Sequence, residues 1–245
     1  MAEDIQTEFR DAVERGGQTA AEHEKFVARG RQIVEKAPQL FIDVDVEGDG
    51  PAGYGSLLSI GAVAPDRSTF YVELRPQTET YLEGPHRFCE EHGLEREKLQ
   101  KTGMIIEEAG QKFAEWVIVL SKEADKPPVF VAFNAGYDWA HCDLAIARAG
   151  IEKNPFGVAP FDTKSLAMAL GLVDEDRAGQ WDWSETSKVK LPGTLSPTRE
   201  FTHNALEDAI WQQEQHFAMV GMLNPDEDSP MTLGGAATNL GLHET

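Results

Sequence analysis

Residues 40–47 read Leu-Phe-Ile-Asp-Val-Asp-Val-Glu, and no other stretch of the chain constrains the fold as much. Side chains alternate across a β-strand, so Ile42, Val44 and Val46 share one face and Asp43, Asp45 and Glu47 share the other. A helix would scatter both sets around its axis. The apolar set demands a packed layer against it. The acidic set lines up like charges roughly 7 Å apart along the strand. Desolvating them is costly unless something cationic compensates. Hard carboxylate oxygens favour Mg²⁺ or Mn²⁺ over zinc. A solvated strand end can carry such acids too, so the run gains meaning only with partners elsewhere in the chain.

The remaining pattern is that of an α/β domain. Residues 56–64 and 69–74 read as strands, joined by the turn Pro65-Asp66-Arg67-Ser68, so the first three strands form a meander. Residues 85–92 read as a short helix closed by Gly93. A longer helix over 105–121 carries Ile106, Ala109, Phe113, Trp116, Val117 and Leu120 on one side. Val129 to Phe133 is wholly apolar and suits a buried strand. Residues 136–149 are helical up to Gly150, 158–161 form a last strand, and Asp162 caps a helix over 163–170. Residues 204–220 form the final helix. Residues 1–38 read as an N-terminal helical extension, 39–221 as the main domain and 222–245 as a disordered tail. The loop over 172–200 holds Trp181 and Trp183, which a solvated linker rarely carries.

Two further clusters join the first strand. One is Asn134-Ala-Gly-Tyr137-Asp138, where an apolar strand runs into a turn and Asp138 opens the next helix, at the sheet end where α/β folds place ligands. The bland alternative is an acid favoured by the helix dipole. The other is His203-Asn204-Ala-Leu-Glu207-Asp208. Asn204 and Glu207 have capping-box spacing, with Asn in place of Ser or Thr. Residues five apart on a continuous helix diverge by about 140°. With Asn204 as the cap, His203 lies on the preceding loop and is free to turn toward the same site as Asp208. Here the bland alternative is a surface histidine beside an ordinary cap.

In order and spacing, Asp43-Val-Asp45, Asn134-x-x-Tyr137-Asp138 and His203-(x)4-Asp208 resemble the motifs of the DEDDh 3′–5′ exonucleases. That family belongs to the RNase H-like superfamily and includes RNase T, oligoribonuclease and the proofreading subunit of bacterial DNA polymerase III. The resemblance spans about residues 39–221. It implies an RNase H-like fold, with a mixed central sheet of about five strands flanked by helices, here preceded by the helical extension. It also implies two Mg²⁺ or Mn²⁺ ions per active site, held by Asp43, Asp45, Asp138 and Asp208, with His203 as general base. The main chain at Ser56 and Leu57 would lie near the terminal nucleotide. Asn134 and Tyr137 would be substrate-side residues or supports of their turn. The family has Glu where Asp45 stands. Asp45 is taken as the ligand, with Glu47 in reserve.

The implied partner is a single-stranded 3′ end of RNA or DNA, with a homodimer as a further expectation. The net charge of −20 argues against tight non-specific gripping of phosphates, but bound cations can invert an acidic site. The sequence has no apolar run long enough to span a bilayer and too few cysteines, at two, for a disulfide framework, so a cytoplasmic protein is expected. Two other readings compete. One is a catalytically impaired relative acting as a nucleic-acid-binding or scaffolding module, favoured by the charge and by Asp45. The other is a zinc site at Asp138, His141 and Cys142, which share a helix face but lack a completing ligand pair.

Overall fold

The computed structural model describes residues 20–170 and 202–223. The expectations for residues 1–19, for Trp181 and Trp183 and for the tail beyond 223 lie outside these residues. In chain order the elements are α1 (Ala20–Lys36), β1 (Leu40–Gly48), β2 (Leu57–Val63), β3 (Thr69–Glu73), α2 (Glu83–Glu91), α3 (Arg96–Thr102), α4 (Ile106–Ala124), β4 (Pro128–Ala132), α5 (Gly136–Arg148), β5 (Phe161–Asp162), α6 (Thr163–Ala169) and α7 (Ala205–Leu223). The strands form one mixed sheet in the order β3-β2-β1-β4-β5. The meander β1-β2-β3 is antiparallel, while β4 and β5 run parallel to β1.

The alternation in β1 separates the two faces of the sheet. Ile42, Val44 and Val46 join Phe130 and Ala132 of β4 and pack on Phe113 and Val117 of α4 and Ile146 of α5. Full burial of each large side chain contributes about 1.5–3 kcal/mol. The acidic face looks the other way, toward α7, which lies across β1 and β2. In turn α1 covers α7, and the two helices touch backbone to backbone. A Cβ on Gly30 would sit 1.7 Å from the Phe217 carbonyl oxygen, and one on Gly221 2.2 Å from that of Phe26. The N-terminal helix is therefore packed on the sheet's own covering helix.

Two differences from the sequence reading have local causes. Helix α3 was not anticipated, being seven residues with a single buried residue, Leu99. The last strand shrinks to Phe161–Asp162, and Val158, expected to start it, is 94 % exposed. Asp162 nevertheless caps α6, its carboxylate accepting from the Lys164 N–H.

Candidate active site

The acidic face of β1 meets the start of α7 because β2 carries no side chain there. Gly61 lies opposite Asp45. A Cβ on Gly61 would fall 2.1 Å from the Ala205 carbonyl carbon and 2.2 Å from the Leu206 nitrogen. The first turn of α7 thus rests directly on β2, beside Asp45. Asn204 caps this turn, its side-chain oxygen accepting from the N–H groups of Leu206 (3.1 Å) and Glu207 (3.2 Å). His203 precedes the cap in a left-handed backbone conformation (φ 59°), which is uncommon outside glycine and found often at functional sites.

Ligand atoms of Glu47, His203 and Asp208 all lie within 4.8 Å of one another. Asp208 is fully buried, and one of its oxygens accepts from the Thr202 N–H at 3.1 Å. The His203 ring stands edge-on to both Phe88 and His92, each at 4.4 Å between centroids. The pairing of β1 shifts register between Glu47 and Gly48, and such bulges re-aim side chains beside active sites.

Asp138 reaches β1 from the other side. The β1–β4 ladder ends at Asp43 opposite Val131, leaving the β4 side of β1 open beyond it. Asp138, in the first turn of α5, fills that gap, its Oδ1 accepting from the Val46 N–H at 3.0 Å. This sets the Asp138 carboxylate between the positions of Asp45 and Glu47. Asp45 and Asp138 are both buried, at 6 % exposure each.

Asp43 is placed differently. Its side chain is completely buried, and its Oδ2 lies 3.2 Å from Nδ1 of His216, two turns further along α7 than Asp208. The structure gathers Glu47 with His203 and Asp208 and ties Asp43 to another partner. Asp45-Val46-Glu47 is itself an Asp-x-Glu pair, two residues on from the pair expected.

The Ser56 N–H is bonded to Asp49 Oδ1 at 2.6 Å and the Leu57 N–H to Gln77 Oε1 at 2.9 Å. Both residues are buried. Asn134 adopts φ 61° and its N–H bonds to Asp162, holding the turn. Tyr137 is 36 % exposed, and its hydroxyl donates to the Gly50 carbonyl at 3.2 Å. Burial, and then the surrounding acids, push the Tyr137 hydroxyl well above its ordinary pKa.

The loop after β1 is fixed in part by Asp49 and Arg96, which the sequence reading passed over. Arg96 pairs with the buried Asp49 and donates to the Thr78 carbonyl. His141 Nε2 joins Tyr137 at the Gly50 carbonyl, at 3.0 Å. None of these belongs to a periodic pattern; the one signal was a lone acid inside Gly48-Asp49-Gly50. The zinc reading fails on the same geometry. Asp138 turns to Val46 and His141 to Gly50, while complete burial holds the Cys142 thiol far above its ordinary pKa.

No family model matches the sequence. The chain is 34% identical over 179 residues to the 3′-5′ DNA exonuclease Cap18 of Escherichia coli, covering 72% of this chain and 89% of that protein. Among solved structures it resembles the nuclease domain of 3′hExo, a DEDDh family member bound to rAMP. There the TM-score is 0.52 with 12% identity, over 76% of this chain and 92% of that one. It also resembles the RNase domain of yeast Pop2, with a TM-score of 0.48 and 13% identity over 84% and 83% of the two chains.

Proposed function

This chain belongs to the DEDDh 3′–5′ exonucleases, and from that premise we propose that Asp45, Glu47, Asp138 and Asp208 are its metal-binding carboxylates and His203 its general base. The observation that carries the assignment is the meeting of Glu47, His203 and Asp208 within 4.8 Å, while Asp43 is engaged by His216. Read this way the first motif is Asp45-Val46-Glu47, the family's own Asp-x-Glu, and the departure at Asp45 disappears. The scaffolding reading loses its main support with it.

The donor set fits a hard divalent cation, with carboxylate oxygens from three separate elements and no thiolate. Divalent cations held there by Asp45, Glu47, Asp138 and Asp208 would neutralise the charge that develops on the phosphodiester oxygens. The remaining work falls to the chain's own groups. His203, held edge-on by Phe88 and His92, takes the proton from the attacking water at a ring nitrogen, a role suited to imidazole near neutral pH. Asp138 closes the β4 side of β1 by accepting from the Val46 N–H. The loop of residues 49–55 and Tyr137 form the wall nearest the terminal nucleotide. The substrate is a 3′ end of DNA, the polymer named for the Escherichia coli relative.

The test is digestion of 5′-labelled single- and double-stranded DNA and RNA with Mn²⁺ or Mg²⁺. A ladder shortening from the 3′ end of single-stranded DNA is expected. Asp45→Asn, Glu47→Gln, His203→Ala and Asp208→Asn should each abolish it with the fold retained. In Asp43→Asn the side-chain oxygen can still accept from His216, and the rate should fall by about tenfold or less. An Asp43→Asn variant as inactive as Glu47→Gln would return the ligand role to Asp43 and refute the assignment.

A further inference from the structure

Helix α7 is buried on almost every side, between the sheet and α1. An amphipathic helix finds its rotation from its one apolar stripe, but a helix buried on nearly every face does not. Yet Asp208 and the preceding His203 must face Glu47 and Asp45. Something other than hydrophobicity has to set the angle and the depth of α7 against β1.

A polar line runs down the sheet side of α7 at four-residue spacing through Asp208, Gln212 and His216, facing the acidic side of β1. Gln212 stitches the helix to the β1–β4 seam. Its amide donates to the carbonyls of Val44 and Val131, both at 3.3 Å, and its oxygen accepts from the Phe133 N–H at 2.9 Å. One turn deeper, His216 meets Asp43 at 3.2 Å, and an ionised carboxylate can only accept, so Nδ1 carries the hydrogen. The imidazole is ringed by Phe41, Phe161 and Phe217 at 5.7–5.9 Å between centroids. His216 is 1 % exposed and Asp43 fully buried. The second oxygen of Asp43 has no hydrogen-bond partner among the described residues. A half-satisfied carboxylate in an aromatic pocket is a poor way to gain stability, and apolar side chains would pack there at lower cost. What such a pair does supply is direction, as a single buried polar residue does in fixing the register of packed helices.

We infer that Asp43 and His216 form a positioning pair, which with Gln212 locks the rotation and depth of α7 so that Asp208 and His203 meet Asp45 and Glu47. The pair touches no substrate; it acts through α7. The inference rests on the functional reading above.

The test is the double variant Asp43→Val/His216→Leu, which removes both buried polar groups together, beside His216→Asn, whose amide nitrogen can replace Nδ1 as donor. Each is measured by urea denaturation, by Mn²⁺ titration calorimetry and by kcat and KM on a 3′-terminal DNA substrate. The double variant is expected to fold with stability at least that of the wild type, to bind Mn²⁺ more weakly, and to keep KM within about twofold while kcat drops by tenfold or more. His216→Asn should recover kcat to within about threefold of wild type. A double variant with wild-type kcat and Mn²⁺ affinity overturns the inference while leaving the exonuclease assignment standing. So does a double variant that fails to fold, since the pair would then hold the fold rather than the site. A wild-type chain with no exonuclease activity overturns both.

Discussion

Substituting Gly61 by Ala tests whether the site depends on how closely α7 approaches the sheet. The added Cβ would stand 2.1 Å from the Ala205 carbonyl carbon, 2.2 Å from the Leu206 nitrogen and 2.3 Å from the Ala205 oxygen. Ordinary Cβ contacts begin near 3.4 Å, so the backbone at the start of α7 must retreat by about 1.3 Å. No flexible side chain can give way, because all three atoms are main chain. Asn204 caps the turn that must move, and His203 and Asp208 sit either side of it. A misplacement of about 1 Å at a reacting centre costs on the order of 10²-fold in rate. Overpacking a well-filled site costs about 1–3 kcal/mol. Gly61→Ala should therefore fold, denature at lower urea by that margin, and lose about 10²-fold in kcat. Gly84→Ala is the control, since nothing lies within 4 Å of its added Cβ. The assay is single-turnover digestion of a 5′-labelled DNA oligomer with Mn²⁺, beside urea melts of both variants. A Gly61→Ala enzyme with kcat within about twofold of wild type would refute the close-approach argument.

Two further outcomes follow from the loop and from the buried thiol. Arg96→Leu strips the buried Asp49 of its charge partner, and removing one member of such a pair costs about 3–5 kcal/mol; thermal melting should show the loss, and an unchanged melting temperature would contradict it. Burial raises the Cys89 thiol from its ordinary value of 9.0 to about 12, so above pH 9 the unfolded chain releases this proton while the folded chain keeps it. Stability from Cys89 is thus whole below pH 9 and lost as pH rises toward 12; urea midpoints should fall over that window, less steeply in Cys89→Ala, and equal slopes would refute the assignment.

Much of the frame could be read directly, because it rests on periodicity. The period-2 run in β1 and the apolar run of β4 each mark a strand buried on at least one face, and both strands are where the pattern puts them. Asn204 was legible as a cap because capping chemistry is local, and its two backbone bonds are present. Helix α3, the shortened β5 and the Asp49–Arg96 clasp were not legible. Each depends on one or two contacts made across the chain, with no repeat to announce them.

The choice between Asp43-x-Asp45 and Asp45-x-Glu47 shows where periodicity runs out. Alternation assigns a face, and a shift of two residues leaves every side chain on the same face. Three acids at period 2 therefore offer two Asp-x-(Asp/Glu) pairs that local pattern alone cannot separate. What separates them lies elsewhere in the chain. The β1–β4 ladder ends at Asp43–Val131, so the gap that Asp138 fills opens beside Val46 and not beside Val44. Gly61 admits the first turn of α7 opposite Asp45. His216, two turns further along the same helix, claims Asp43. Fixing any one of these contacts shifts the chemical end of β1 outward by one pleat. On the assignment proposed above, the innermost acid is an anchor and the outer two are the pair that faces the substrate.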